Sequence, residues 1–262
     1  MSARVVPFVR GAGWLGEGWR LFRAAPFGWL SLVFSYWLLM SLLSIVPYAG
    51  LVAAPLLVPA FSVGFMAAAR GAAEGRSIEL PLLFAGFRER AGAQLVLGVV
   101  YALCLAAVIG ASALADQGAL ARWFLLGAQP DDAVLESGQL SLALLVAAGG
   151  YIPVMLLYWF APVLAAWQGY SPAKALFYSF FACLLNWRAF VAYSVASALL
   201  AGLLPWLVLS ALVLVLGARA PSPLLLVLPL IMLLLPTFLA SFYASYRDVF
   251  GGEPSTPPAA QA

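Results

Sequence analysis

This sequence predicts an all-α fold, a polytopic bundle of about six membrane-spanning helices, and three observations carry that reading. Hydrophobic residues make up 65% of the 262, and the mean hydropathy is +1.02, a composition far more apolar than that of soluble domains. No charged side chain occurs from Ala24 to Ala69 or from Ser137 to Ala173, and each run exceeds the ~20 residues that one span needs. The apolarity is continuous and does not alternate with period two, so the backbone groups are satisfied within helices and not between barrel strands.

The chain opens with a partly polar, aromatic stretch, WLGEGWRLFRAAP, in which Leu15, Trp19 and Phe22 share one face while Glu17, Arg20 and Arg23 lie elsewhere. The first span is expected over 27–46 and the second over 51–69, with Pro55 and Pro59 on one face of the second. A second preface, LPLLFAGFRERAG, precedes a third span at 93–115. There Gly98, Ala102, Ala106 and Gly110 recur every four residues, a small-residue stripe suited to close helix contact within the bundle. The following loop holds ARWFLLGA, expected to lie flat on the outer interface, and a polar turn at Pro130, Asp131 and Asp132.

The fourth span, 140–167, and the fifth, 189–216, are longer than a bilayer requires and should tilt or bend. Pro153 and Pro162 interrupt the fourth, Pro205 the fifth, and Pro229 and Pro236 the sixth at 224–245. Each proline removes a backbone donor and frees a carbonyl. Packing kinks are the preferred reading, with a transport site at the breaks as the alternative. Around span four stand Tyr151, Tyr158, Trp159, Trp167 and Tyr170; Trp167 and Tyr170 read as an interfacial belt, and Trp159 lies deeper, with core packing preferred and the lining of a lipid-facing groove as the alternative. The third preface, SPAKALFYSFFACLLNWRAF, places Ser171 as N-cap and Pro172 as first helical residue, with Phe177, Phe180, Phe181, Leu184 and Leu185 at helical spacing. The layout is three hairpins, each with an interfacial preface helix on the cytoplasmic side. Residues 1–250 form one transmembrane domain, and the Pro/Ala/Ser-rich tail 251–262 is expected to be disordered.

Basic residues set the orientation. Arg4, Arg10, Arg20, Arg23, Arg70, Arg76, Arg88, Arg90, Lys174, Arg188 and Arg247 fall on one side of these spans, against Arg122 and Arg219 on the other. That asymmetry places both termini in the cytoplasm. Twelve arginines to one lysine, with abundant Ala and Leu, resemble GC-rich bacterial coding and point to a bacterial inner membrane, and the full-length first span without a persuasive cleavage site is expected to be an uncleaved anchor. The asymmetry also accounts for the net charge of +3, so no nucleic-acid partner is called for.

The chain contains no histidine, and its 10 acidic residues all fall outside the expected spans. Ser-His and Cys-His nucleophile pairs, His-ligated haem or zinc and an intramembrane carboxylate dyad therefore have no candidates, and no phosphate-binding glycine loop occurs. Cys104 and Cys183 are not expected to form a disulfide. No catalytic residue, metal or cofactor is called for.

The motifs APVLAAWQGYSPAKALFYSFFACLLNWRAFVAY and SFYASYRDVFG, with GWRLFRAAPFGWL and LLFAGFR, resemble a family of uncharacterised bacterial inner-membrane proteins of about six spans. The resemblance covers nearly the whole chain and implies fold and location without a reaction. A looser likeness is to the membrane regions attached to some glycerophosphodiester phosphodiesterases, although no stretch here corresponds to their soluble catalytic domain. The leading expectation is a non-enzymatic multi-pass protein working in the envelope through membrane lipids, a membrane-protein partner or a second copy. A small transporter or exporter subunit for an apolar or amphiphilic solute is the alternative.

Among the motif residues, Asn186, Trp187, Arg188, Tyr246, Arg247 and Asp248 form a candidate latch. Arg247 suits the negative end of the last helix, but Asp248 does not, so it should pair with a cation of a preface stretch. Arg23, Arg88, Lys174 and Arg188 are the candidates, Arg188 foremost, with Tyr243, Tyr246 and Phe250 packing beside the pair.

Overall fold

A computed structural model describes residues 3–46, 49–216 and 223–251. Arg219 and the tail expected to be disordered, from residue 252 onward, lie outside the described residues. Helices α1 (Phe8–Ala24), α2 (Pro26–Ser44) and α3 (Ala49–Ala73) are followed by a 3₁₀ turn (Leu80–Phe84) and α4 (Ala85–Glu89). Next come α5 (Ala91–Asp116), α6 (Ala119–Leu126), α7 (Asp132–Glu136), α8 (Gln139–Tyr158), α9 (Ala161–Trp167) and α10 (Pro172–Leu185). The chain continues through α11 (Trp187–Ala198), a π-helical turn (Leu199–Leu203), α12 (Leu204–Leu216) and α13 (Pro223–Phe250). Among the described residues there is no strand, and six helices are long and apolar enough to cross a membrane.

These six are Pro26–Ser44, Gly50–Ala73, Ala91–Asp116, Gln139–Trp167, Trp187–Val215 and Pro229–Phe250. The prefaces correspond to α1, to the 3₁₀ turn with α4, and to α10. Span four is broken at Trp159 and Phe160, where Pro162 lacks the N–H that would bond the Tyr158 carbonyl. Span five is interrupted by the π turn just before Pro205, and the Leu204 N–H reaches back five residues to the Leu199 carbonyl.

Helix contacts divide the chain into two compact units, one drawn from Met1–Val33, Ala68–Glu79 and Ala182–Ala262, the other from Phe34–Ala67 and Leu80–Phe181. In the first unit α1 packs against both α11 and α13. Two glycines permit it: a Cβ on Gly11 would meet the Ala189 carbonyl, and one on Gly18 the Thr237 carbonyl. The face so buried holds Trp14, Leu15, Leu21 and Phe22. Of the three apolar residues that share one face in the sequence, Leu15 and Phe22 are buried, whereas Trp19 is 41% exposed.

In the second unit the close approaches are between α3, the second preface and α5. Gly64 abuts the Leu83 carbonyl, Gly86 the Ala60 carbonyl and Gly98 the Leu56 carbonyl. Around them the Phe61 ring meets Tyr36, Phe84 and Phe87 edge-on, with centroids 5.0–6.0 Å apart. Helices α5 and α8 pair side by side, with Gly150 against Val108 and the Tyr101 and Tyr151 hydroxyls 3.1 Å apart. Asp116, buried at the end of α5, accepts from the backbone N–H groups of Gly118 and Leu120 and so caps the start of α6. Helix α6 leaves Phe124 and Leu126 exposed.

Candidate functional site

The first helix starts earlier than its sequence advertises. Pro7, at φ −61° and ψ 150°, is the extended residue before it, and α1 then runs through four glycines, residues that individually disfavour helix. The early start puts Arg10, Trp14 and Glu17 at i, i+4, i+7 spacing on one face, toward the end of α13.

Arg10 is the cation that meets Asp248. Its Nε donates to Asp248 Oδ2 at 2.7 Å and its Nη2 to Oδ1 at 2.9 Å, a fork matched to the carboxylate. The same Nη2 donates to Glu17 Oε1 at 2.8 Å, and the buried Trp14 indole N–H donates to Asp248 Oδ2 at 2.9 Å. Arg247 donates to Glu17 Oε2, and Arg20 lies 3.9 Å from the same carboxylate. The Asp248 and Glu17 side chains are 14% and 15% exposed, whereas Arg10 and Arg247 are each 41% exposed. Hydrogen bonds to Asp248 and then Glu17 raise the Arg10 guanidinium above its ordinary value, against an opposing effect of burial, so it stays charged beside the two carboxylates.

The partner expected for Asp248 was Arg188, and the structure corrects this. Arg188 is exposed and lies 5.6 Å from the ring of its neighbour Trp187, itself exposed. Helix α1 supplies the clasping cation because it packs against both α11 and α13, whereas Arg188 faces away. Asn186 reads backbone instead: its Oδ1 accepts the Val6 N–H at 2.8 Å, and its Nδ2 donates to the Arg4 carbonyl at 2.9 Å. The Arg4 N–H donates to the Val249 carbonyl at 2.9 Å, so the extended segment before α1 is tied to the same end of α13. Tyr246 and Phe250 are buried with ring centroids 5.7 Å apart. One layer deeper, the Trp14 ring meets Phe190 edge-on at 5.4 Å, and the Tyr193 and Ser241 hydroxyls are 2.8 Å apart.

The other unit carries a second polar arrangement, at the break of span four. Ser179 of α10, fully buried, accepts the Phe160 N–H at 3.0 Å and donates to the Leu156 carbonyl at 2.9 Å, filling the interrupted ladder. Gln94 Nε2 donates to the Pro162 carbonyl at 2.9 Å, and the Tyr158 hydroxyl to the Leu97 carbonyl at 2.7 Å. On the opposite face of α10, Phe177 and Leu185 are exposed, so small residues pack inward and large apolar ones outward.

One curated protein decides how these helices are to be placed. A protein of Burkholderia thailandensis named "Probable inner membrane protein" is 40% identical over 253 residues, covering 93% of this chain and 92% of its own length. The chain belongs to that inner membrane protein family. No family model and no solved structure matches it. Together with the six long apolar helices, that membership makes this a multi-pass inner membrane protein.

The remaining sequence candidates separate by whether a span uses them for packing. Within the stripe of α5, Gly98 closes on Leu56 and Ala102 is half-buried, but Ala106 and Gly110 are exposed and a Cβ on Gly110 would meet nothing. Pro59, Pro162 and Pro236 are buried and Pro55 half-buried, whereas Pro153 and Pro229 are exposed. Pro205 has a different setting. With Ala201 of the π turn, and Ile231, Leu234, Leu235 and Phe238 of α13, it walls an apolar groove of about 330 Å³ between spans five and six.

Proposed function

We propose that this is a non-enzymatic member of the inner membrane, with both termini in the cytoplasm, that works in the envelope through contacts with lipids or a membrane-protein partner. The observation that carries the reading is the engagement of the polar groups at the preface end. Arg10, Glu17, Arg247 and Asp248 neutralise one another across helices, and Asn186 is satisfied by backbone. Ion pairs between helices leave these groups holding the bundle together, while the surface offered outward is aliphatic and aromatic. The eleven basic residues on the side of the prefaces support the cytoplasmic orientation.

The test is an inventory of lipids and proteins retained on mild extraction. Orientation is read separately, by labelling Ala3→Cys and Asp131→Cys variants in intact cells with a membrane-impermeant thiol reagent, on a background in which Cys104 and Cys183 are replaced. Specific retention of lipid or partner is expected, and recovery of the bare protein alone would remove the reading's main support. Labelling at position 131 and protection at position 3 are expected, and the reverse pattern would overturn the orientation. The transport alternative draws on the groove at Pro205, since the break in span four is already filled by Ser179. Uptake and efflux by reconstituted vesicles across a panel of amphiphiles separates the two readings.

A further inference from the structure

The groove between spans five and six narrows the class of molecule that this protein contacts. Its walls come from two helices that are both held by α1 where α11 begins and α13 ends, and that meet each other through α12 and α13. Along span five the groove lies where the helical ladder widens into the π turn, Leu199–Leu203, and where Pro205 follows. A π turn inserts an extra residue per turn and displaces the helix surface locally. Ala201 presents only a methyl there, so the concavity is bounded by the larger Ile231, Leu234, Leu235 and Phe238 of α13.

No charged residue occurs from 189 to 216 or from 223 to 246, so the groove offers dispersion contacts and no counter-charge. Its volume, about 330 Å³, is at the lower end of small-ligand sites. From Leu230 to Phe238 the α13 wall runs for roughly 12 Å, less than half of the ~30 Å hydrocarbon thickness. Both walls belong to spans, so the groove is continuous with the protein's contact surface to the bilayer, and hydrocarbon is the solvent that fills it. The occupant that meets these terms is a flexible, uncharged chain entering sideways from the membrane.

We infer that the groove is a binding site for one acyl chain of a membrane phospholipid, shaped by the π turn of span five. The inference rests on the lipid-contact reading above and gives it a location. An acyl chain lodged there would be held longer than the lipids that surround the rest of the spans, because it touches two helices and not one.

The experiment reconstitutes the full chain in vesicles of phosphatidylethanolamine and phosphatidylglycerol doped with a phosphatidylethanolamine that carries a photoreactive diazirine in one acyl chain. Labelled positions are then mapped by mass spectrometry. Labelling concentrated on Ala201, Leu234 and Phe238 is expected, and Ala201→Trp, which fills the groove, should lower it about tenfold. Leu214→Trp, at an exposed position of the same span, should leave it unchanged. The wild-type map needs no variant, so the inference stays testable if Ala201→Trp fails to fold. Labelling spread equally over the groove and exposed Leu214 and Val215 would overturn the site, as would labelling of the groove that survives Ala201→Trp in folded protein. A spread pattern from a protein that still retains lipid specifically would overturn the groove alone. Only an empty inventory would remove the broader reading as well.

Discussion

Where α11 begins and α13 ends, spans five and six are joined through α1 by glycine contacts, a fork of ion pairs and a buried tryptophan; toward Pro205 and Leu230 the same two helices face each other across a groove. The joined end carries Ala189, Tyr193, Ala240, Ser241, Ala244 and Ser245, all buried. The other end, through α12, is mostly leucine and valine, with Leu207, Val208 and Val213 exposed. The difference follows from the solvent. In lipid, burying a leucine gains little over leaving it in hydrocarbon, so helices hold together where small residues let backbones approach and polar groups find partners. Hydropathy alone ranks the α12 end as the more strongly apolar, and it is the end that packs least.

Changes at the joined end should therefore cost far more than changes at the open end. Gly11→Leu or Gly18→Leu drives a side chain into the backbone of α11 or α13 and should destabilise by about 3 kcal/mol, the upper range for overpacking, seen as a lowered unfolding temperature in detergent. Asp248→Ala removes the acceptor of Arg10 and of the buried Trp14 N–H, and should lose about 1.5–3 kcal/mol in the same assay. Ser179→Ala, at the filled break of span four, leaves the Phe160 N–H without its acceptor and should cost about 1 kcal/mol, with faster proteolysis near Trp159. Leu214→Ala, at the open end, should change stability by no more than about 0.5 kcal/mol. A comparable loss at Leu214 and at Gly18 would erase the contrast between the two ends.

The spans themselves were legible because bilayer thickness imposes their length and hydrocarbon demands continuous apolarity, both of which are one-dimensional signals. Their observed bounds lie within a few residues of those read from the sequence, although α13 runs on to Phe250, past the expected end at residue 245. The partner of Asp248 was not legible. Arg10 precedes the aromatic stretch that marks the preface, and the glycines around it argue against helix by propensity. Their use as contact points depends on α11 and α13, far away in sequence. The spacing of Arg10, Trp14 and Glu17 was the one available signal, and it acquires meaning only once α1 is known to begin at Phe8. The filling of the span-four break by Ser179 had no local signal at all, since Pro162 announces a freed Tyr158 carbonyl but not that a side chain of α10 will bridge the Leu156 carbonyl and the Phe160 N–H.

Deleting both sides of the clasp gives the most direct test. Arg10→Ala and Asp248→Ala should each lower the unfolding temperature, and the double variant should lose markedly less than the sum, because the pair is held in one fork between α1 and α13. Losses that simply add in the double variant would show that Arg10 and Asp248 do not hold the two helices together, and the account of the joined end would fail.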